Sequence, residues 1–217
     1  RLDGTTGSGW EYPYVSGFVT TTIDLLRHGE AEGGRRYRGQ IDDPLSEKGW
    51  EQMHNAVADH HPWDRIITSS LSRCSAFAEA LSIRHQLPLD QSDALREIGF
   101  GAWEGKRAEQ LMEHDADILY RFWRDPLNNT PPGAERLIDF QQRITSKWQQ
   151  IVTQYQGEHL LLVGHAGMMR MILSHILGMP MDHLFRLQIP NAAVSRIQVD
   201  NFEGGVLPRL LFHAGHL

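Results

Sequence analysis

The amino-acid sequence predicts an α/β fold: a three-layer α/β/α sandwich with helices on both faces of a mainly parallel sheet. Strand and helix signals alternate along the chain from Thr20 onward, which is typical of this class. The segment Leu160–Val163 is wholly apolar, as expected for a strand covered on both faces. With 217 residues, 41% of them hydrophobic, the chain can bury one substantial core. We therefore expect one domain over residues 20–217.

Residues 1–19 differ from the rest of the chain. The first nine are polar and rich in Gly and Thr, and an aromatic patch of Trp10, Tyr12 and Tyr14 follows. The segment lacks the positive region and the long apolar region of a secretory signal. We expect an N-terminal extension, either a leader or an expression remnant, with packing on the domain or on a neighbour as the alternative.

The first strand is predicted over residues 19–26, where β-branched and aliphatic side chains precede the loop Arg27-His28-Gly29. Ser46 is expected to cap the first helix, which runs to about residue 59. The later elements follow from the same signals: a strand over 64–68, a helix over 72–84, a loop with a short strand at 87–89, a loop over 99–105, a helix over 106–124, a break over 125–133, a helix over 134–155, a strand over 160–163, a helix over 168–177, and strands over 193–199 and 210–213.

Charge and cysteine content narrow the classes of partner. A net charge of -6 offers no overall basic surface for a nucleic-acid backbone, although a few clustered arginines can still form a positive pocket. The longest apolar run, residues 168–179, is interrupted by Arg170, Ser174 and His175, so we expect no membrane span. The single cysteine, Cys74, excludes an internal disulfide and fits a reducing cytoplasm. Aliphatic residues near 179–181 suit a homodimer contact, but packing explains them equally well.

Three predicted strands end in loops that carry charged residues or histidine. The first delivers Arg27-His28-Gly29, the second delivers residues 69–73, and the strand over 160–163 delivers Gly164-His165-Ala166-Gly167. In open α/β sheets, ligands bind beyond the carboxyl ends of the strands. We therefore expect these loops to meet at one pocket.

Four separated pieces of sequence, in order, resemble the histidine phosphatase (phosphoglycerate mutase-like) superfamily from about Thr20 to the C-terminus. They are Leu26-Arg27-His28-Gly29-Glu30, Ser69-Ser70-Leu71-Ser72-Arg73, Leu95-Arg96-Glu97 leading into Phe100-Gly101-Ala102-Trp103-Glu104-Gly105, and Val163-Gly164-His165-Ala166-Gly167. One piece alone would be a weak signal, whereas four in the same order are a strong one. The resemblance implies a phosphoglycerate mutase-like fold and phosphoryl transfer.

The residue types suit that chemistry. A neutral imidazole can attack phosphorus, and guanidinium groups bind phosphoryl oxygens in a fork. The resemblance implies roles for five residues. His28 is the nucleophile, Arg27 and Arg73 form a phosphate clamp, His165 is a second, protonated histidine that donates to a phosphoryl oxygen, and Glu97 is the general acid and base. The position of Arg38 in Tyr37-Arg38-Gly39-Gln40 suits a further phosphate contact, with a surface charge as the equal alternative. Glu104 is interpreted as structural. We expect no metal ion and no cofactor.

The sequence departs from the family pattern at two positions. Many relatives carry Thr and Asn shortly after the nucleophile, where this chain has Ala31 and Gly34. Loss of the amide removes one possible phosphate donor and puts the fine geometry of phosphate binding in doubt. The reaction class is unaffected.

The stretch from Glu97 to Arg143 most resembles the α-ribazole-5'-phosphate phosphatases of cobalamin nucleotide-loop assembly. Trp103, Phe122 or Trp123 would suit stacking on a flat base, with core packing as the alternative. Because the chain shows no long closing tail after Leu210, hydrolysis of a small phosphate ester is favoured over mutase transfer. A phosphoglycerate mutase, a broad-specificity sugar phosphatase and a catalytically inactive binding protein remain alternatives.

Overall fold

Six strands form one sheet in the order β3-β2-β4-β1-β5-β6 in a computed structural model that describes residues 17–217. The expectations for residues 1–16, including the aromatic patch, lie outside the described residues. The strand bounds are β1 (Val19–Arg27), β2 (Arg65–Ser69), β3 (Leu89–Ser92), β4 (His159–Gly164), β5 (Val194–Phe202) and β6 (Gly205–Gly215). The first four strands run parallel, and β5 and β6 are antiparallel, so the predicted mainly parallel sheet is confirmed.

Helices cover both faces of the sheet. Their bounds are α1 (Glu47–Val57), α2 (Ser72–His85), α3 (Ala108–Met112), α4 (Ile118–Arg124), α5 (Leu137–Gln154) and α6 (Ala166–Leu177). On one face, α5 and α6 pack against Leu160 and Leu162, and on the other α1 and α2 pack against Leu161 and Val163. This alternation explains the unbroken apolar run of β4, because successive side chains of a strand point to opposite faces. The three-layer sandwich is confirmed.

The start of α1 follows the predicted cap. The Ser46 hydroxyl accepts a hydrogen bond from the backbone N–H of Gly49 at 3.0 Å. This satisfies one of the free N–H groups of the first turn. It also holds the beginning of α1 beside the loop that follows β1, because the Ser46 N–H donates to the Glu30 carbonyl at 2.9 Å.

The single helix predicted over residues 106–124 is wrong, because the structure divides it into α3 and α4. The Asp115 carboxylate accepts a hydrogen bond from the backbone N–H of Asp117 at 3.2 Å. Aspartate side chains compete in this way for backbone donors and favour turns over helix interiors. The acidic stretch therefore forms a turn that reverses the chain between two short helices.

The helix predicted from residue 134 begins three residues later, at Leu137. The Glu135 N–H donates to the Gly99 carbonyl at 2.9 Å, and its carboxylate binds Arg143 at 2.7 Å. These bonds tie residues 134–136 to the 99–105 loop instead of to the helix. Within residues 17–217, none of the helices combines the length and apolarity that crossing a bilayer requires.

Candidate active site

The ends of β2, β4 and β1, adjacent strands of the sheet, carry the predicted site residues. Arg27 pairs with Gly164 across β1 and β4, and Thr68 pairs with Val163 across β2 and β4. Since the three strands are parallel, the residues that follow them emerge at the same edge of the sheet. The imidazole rings of His28 and His165 lie with their centroids 5.3 Å apart. The loops that follow β1, β2 and β4 therefore meet at one edge of the sheet, as predicted.

His28 is held in the tautomer that a nucleophile needs. Its Nδ1 lies 2.6 Å from the Gly29 carbonyl oxygen, which can only accept, so Nδ1 carries the proton and Nε2 keeps its lone pair. Burial lowers the pKa of His28 well below 6.5, and the charges of Arg27 and Arg73 lower it further. The imidazole is therefore neutral at neutral pH, with Nε2 available to attack phosphorus.

Gly29 is required by packing against α1. A Cβ atom at this position would lie 2.2 Å from the carbonyl oxygen of Gly49, a distance that no side chain tolerates. The glycine is therefore explained by contact between the loop that follows β1 and the first turn of α1.

Arg73 is fully buried and Arg27 is half-buried, and backbone carbonyls anchor both guanidinium groups. Arg27 donates to the Ile189 carbonyl at 2.5 Å, and Arg73 donates to the carbonyls of Ile41 at 2.8 Å and Gly39 at 2.6 Å. The Nε atoms of both arginines are buried and have no hydrogen-bond partner among the described residues. Burial lowers the pKa of Arg27 to about 10, so the group stays charged at neutral pH. Buried, charged donors of this kind suit the oxygens of an anion.

The Glu97 carboxylate lies against the first turn of α6, which begins directly after His165. Its Oε2 accepts from the Gly167 N–H at 2.9 Å and its Oε1 from the Ile98 N–H at 3.0 Å. A Cβ atom on Gly167 would lie 2.3 Å from Oε1, so a side chain at this position would clash with the Glu97 carboxylate. Glu97 is 7% exposed and contributes to the electrostatics of both Arg27 and Arg73.

His165 is fully buried, and its Nε2 lies 2.8 Å from the Ser69 hydroxyl. Burial lowers its pKa well below 6.5, and the positive charges of Arg73 and Arg27 lower it further. In the protein alone these effects favour a neutral His165, and the expected protonated form in the presence of phosphate stays a prediction. A phosphoryl group would act in the opposite direction, since a nearby anion favours the charged imidazole.

A cleft of about 690 Å³ opens at Arg27 and His28, which form part of its lining. Its lining includes five cationic side chains, Arg27, Arg35, Arg36, Arg38 and Lys48, and two acidic ones, Glu30 and Glu109. Of these, Arg38 is held by Asp43, whose Oδ2 lies 2.6 Å from its Nε, and by the Glu32 carbonyl at 2.7 Å. The cleft thus places Arg38 in the wall beside His28 and carries an excess of positive charge.

The aromatic residues divide between the core and the cleft. Trp103 and Phe122 are buried and pack edge to face in the cluster around α3 and α4, so the alternative of core packing holds for them. Trp123 is 40% exposed and lines the cleft together with Tyr37. A stacking surface for a flat substrate is therefore available at Trp123 and Tyr37.

Sequence reasoning missed several residues that shape the site. Ser69 orients His165, Asn191 lines the cleft after the bend that precedes β5, and the half-buried Arg170 donates from Nε to the Leu187 carbonyl at 2.9 Å. The Pro190-Asn191 pair signals a bend, but nothing in the sequence places that bend beside His28. Among residues 17–217, no three His, Cys, Asp or Glu side chains cluster as a metal site would require. The absence of a metal requirement stays a prediction.

Three curated relatives show how the chain compares with known proteins. It is 33% identical over 204 residues to the bifunctional protein Rv2228c of Mycobacterium tuberculosis, covering 91% of this chain and 55% of the relative, so it spans about half the length of that protein. It is 26% identical to the adenosylcobalamin/alpha-ribazole phosphatase of Escherichia coli, covering 81% and 89%. It is 30% identical to a protein of Escherichia fergusonii named probable phosphoglycerate mutase, covering 81% and 83%.

Among solved structures, the fold is similar to that of YhfR from Bacillus stearothermophilus. The TM-score is 0.77 with 30% identity, over 88% of this chain and 95% of the other. The model of the histidine phosphatase superfamily, branch 1, matches residues 23–208, a range that contains the loops bearing His28, Arg73, Glu97 and His165. On the agreement of this match with the fold and with the convergence of those loops, the chain belongs to the histidine phosphatase superfamily.

Proposed function

We propose that the chain is a metal-independent phosphomonoester hydrolase that works through a phosphohistidine intermediate on His28. This proposal rests on the neutral His28 imidazole and on the two arginines beside it. A neutral imidazole with a free Nε2 lies beside the guanidinium groups of Arg27 and Arg73, whose buried Nε donors have no partner among the described residues. A nucleophile and an oxyanion clamp at one point suit phosphoryl transfer.

In the first step, Nε2 of His28 attacks phosphorus, the N–P bond forms and the bond from phosphorus to the ester oxygen breaks. Glu97 donates a proton to the departing oxygen, so the alcohol leaves neutral. The N–H groups of Arg27 and Arg73 stabilise the charge that spreads over the three remaining phosphoryl oxygens. The product of this half-reaction is the alcohol and phosphorylated His28.

In the second step, water attacks the phosphohistidine and Glu97 accepts its proton. The N–P bond breaks, inorganic phosphate forms, and the electron pair returns to Nε2 of His28. His165, close to His28, supplies a hydrogen bond to a phosphoryl oxygen once the anion raises its pKa. The enzyme ends in its starting protonation state, so the cycle balances.

The test is hydrolysis of p-nitrophenyl phosphate by the wild type and by His28→Ala. We expect the substitution to lower kcat/KM by at least roughly 10³-fold, because it removes the nucleophile. His175→Ala, an exposed histidine on α6, is the matched control and should leave the rate unchanged. Acid-labile phosphate on the trapped wild-type enzyme identifies the intermediate. Equal rates for wild type and His28→Ala, or loss of activity on chelation of metals, would contradict the proposal.

Within this function, we propose α-ribazole 5'-phosphate as the first substrate to test. The E. coli relative is named for that activity, and Trp123 and Tyr37 provide an aromatic wall on the cleft. Such a wall suits a flat benzimidazole base beside the phosphate. We expect a kcat/KM well above that for ribose 5-phosphate and glycerol phosphate. Equal values would end the cobalamin assignment and leave a broad-specificity phosphatase.

Mutase activity is the second candidate, because one relative at 30% identity carries that name. The cleft of about 690 Å³ favours hydrolysis, since water can reach a phosphohistidine at its base. The assay is conversion of 3-phosphoglycerate with and without a bisphosphate primer. Primer-dependent formation of 2-phosphoglycerate faster than release of phosphate would support the mutase. We further propose that residues 20–217 are the phosphatase domain, consistent with the family match.

A further inference from the structure

The carboxylate of Glu104 is bound by backbone N–H groups of a loop more than sixty residues earlier in the chain. Its Oε2 accepts from Gly39 at 3.0 Å and from Ile41 at 3.4 Å, and its Oε1 accepts from Gln40 at 2.8 Å and from Phe100 at 3.0 Å. Four backbone donors around one carboxylate form a strong, charge-assisted set. Glu104 therefore fixes the path of residues 39–41.

Residues 39–41 also bind Arg73, through carbonyls on the side of the loop that faces away from Glu104. The carbonyl of Gly39 accepts from one terminal nitrogen of Arg73 at 2.6 Å, and the carbonyl of Ile41 accepts from the other at 2.8 Å. The Gly39 carbonyl and the Gln40 N–H belong to one planar, trans peptide group and point in opposite directions. Glu104 and Arg73 thus bind opposite edges of a single peptide plane.

The loop has no room to shift. A Cβ atom on Gly39 would lie 2.2 Å from the Ile98 carbonyl oxygen and 2.4 Å from Oε1 of Glu104. The backbone of this loop is therefore pressed against the segment that carries Glu104. A change in the Glu104 carboxylate has to be transmitted to the carbonyls that Arg73 uses.

We infer that Glu104 is a positioning residue of the phosphate clamp, setting the orientation of the Arg73 guanidinium through the peptide that joins Gly39 to Gln40. Because the guanidinium group is planar, two fixed carbonyls define its plane and with it the direction of the Nε–H. That Nε is one of the buried donors without a partner among the described residues. This inference depends on the proposed function only in assigning Arg73 to phosphate.

The test is the affinity for orthovanadate, an oxyanion that binds without turnover. Glu104→Gln removes the charge and replaces one acceptor oxygen with an NH2 donor. We expect the dissociation constant to rise roughly tenfold, as for the loss of a charged hydrogen-bond partner. The matched control is Glu158→Gln, which changes a carboxylate paired with Arg65 at 3.3 Å at the amino end of β4, and it should leave vanadate affinity unchanged.

A double-mutant cycle with Arg73→Met distinguishes positioning through Arg73 from general loosening. In the Arg73→Met background, Glu104→Gln should change the dissociation constant by less than about twofold, because residues that act as a unit are not additive. Additive losses, or a folded Glu104→Gln that binds vanadate like the wild type, would overturn the inference. If Glu104→Gln does not fold, Glu104→Asp and the ¹⁵N resonance of Arg73 Nε replace it, and an unmoved resonance with wild-type affinity would be equally negative.

The outcomes also separate this inference from the proposed function. If Arg73→Met binds vanadate as tightly as the wild type, the assignment of the clamp fails, and the proposed function fails with it. If the wild type binds vanadate but hydrolyses no ester, the hydrolase proposal fails while the cycle still decides the role of Glu104.

Discussion

The two histidines of the site are buried beside two guanidinium groups, and this arrangement has a direct effect on their protonation. Burial and the charges of Arg27 and Arg73 all lower the pKa of His28 below 6.5. A lowered pKa means that the neutral form persists when the pH falls through 6.5. The proposed nucleophile is therefore neutral under mildly acidic conditions in which an exposed histidine would be protonated.

We predict that His28 shows no titration near pH 6.5. The imidazole ¹⁵N and ¹³C resonances of His28 should stay those of the neutral, Nδ1-protonated ring as the pH falls through 6.5, because burial and two neighbouring arginines lower the pKa of His28. Selective labelling with assignment by His28→Ala provides the measurement. A midpoint for His28 at or above 6.5 would contradict the effect of burial.

We predict that Gly167→Ala impairs leaving-group protonation. The new Cβ would lie 2.3 Å from Oε1 of Glu97 and push the carboxylate from its place. Loss of a general acid lowers rates by roughly 10²-fold or more for alkyl phosphates, with a smaller loss for p-nitrophenyl phosphate, whose leaving group needs no proton. The control is Gly99→Ala, whose new Cβ meets nothing closer than 3.7 Å. Equal losses on both substrates would indicate that Glu97 is not the acid.

At the residue scale, the sequence predicts the site residues that stand in short local motifs. His28, Arg73 and His165 stand in short motifs at strand ends, and parallel strands bring such positions together. The neutral state of His165 depends on burial by distant segments, and the role of Glu104 depends on backbone bonds to residues 39–41. Neither has a signal in the residues around it.

At the scale of elements, β1 carries a buried carboxylate away from the active site. Asp24 is fully buried and accepts from Trp63 Nε1 at 2.8 Å, His159 Nε2 at 2.9 Å and Arg196 Nε at 2.7 Å. Burial alone would raise the pKa of Asp24, but the hydrogen bonds from His159, Arg196 and Trp63 lower it below 3.8 overall. This cluster joins β1 to β4, β5 and the segment before β2.

We predict that Asp24→Asn lowers the free energy of unfolding by about 3 kcal/mol at pH 7, because it leaves buried donors without their charged partner. A carboxylate with a lowered folded-state pKa stabilises above its ordinary pKa of 3.8, and this contribution is lost as the pH falls through the folded-state value. The difference between variant and wild type should therefore shrink below pH 3.8. Urea unfolding at several pH values measures this difference in the free energy of unfolding. A difference that does not change with pH would contradict an ionic origin of the effect.

Element prediction succeeded where periodicity was strong and failed where side chains compete for the backbone. The predicted bounds of β1 and α2 agree with the structure within one or two residues. The helix over 106–124 was wrong because Asp115 captures the N–H of Asp117. The late start of α5 has the same kind of cause, since Glu135 binds Gly99 and Arg143. The Asp115 bond is local and competes with the helix, whereas the bond of Glu135 to Gly99 depends on a tertiary neighbour, which a local pattern does not contain.

For the whole molecule, charge is distributed unevenly. The chain has a net charge of -6, yet five cations and two carboxylates line the cleft. A concave site of one sign concentrates its field and attracts an oppositely charged ligand. The alternation of helices and strands predicted the three layers. The convergence of Arg35, Arg36 and Lys48 on one cleft depends on the path of the loop between β1 and α1, which alternation leaves open.

We predict that this field raises the rate of capture of phosphate esters. The value of kcat/KM should fall severalfold between about 20 mM and about 0.5 M salt, with kcat nearly constant, because salt screens exposed charges. Arg35→Gln, at the cleft, should reduce the salt dependence, and Arg84→Gln, an exposed arginine on α2, should leave it unchanged. Identical slopes for the two variants would exclude steering by the cleft.

The position of His28 directly after the central strand β1 has one further consequence. The backbone N–H of His28 donates to the Gly164 carbonyl at 2.9 Å, which continues the ladder between β1 and β4 into the site. That amide can exchange with deuterium only when the middle of the sheet separates. Its protection should therefore equal that of the most slowly exchanging amides of β4. Catalytic competence and global folding would then be lost in the same cooperative event.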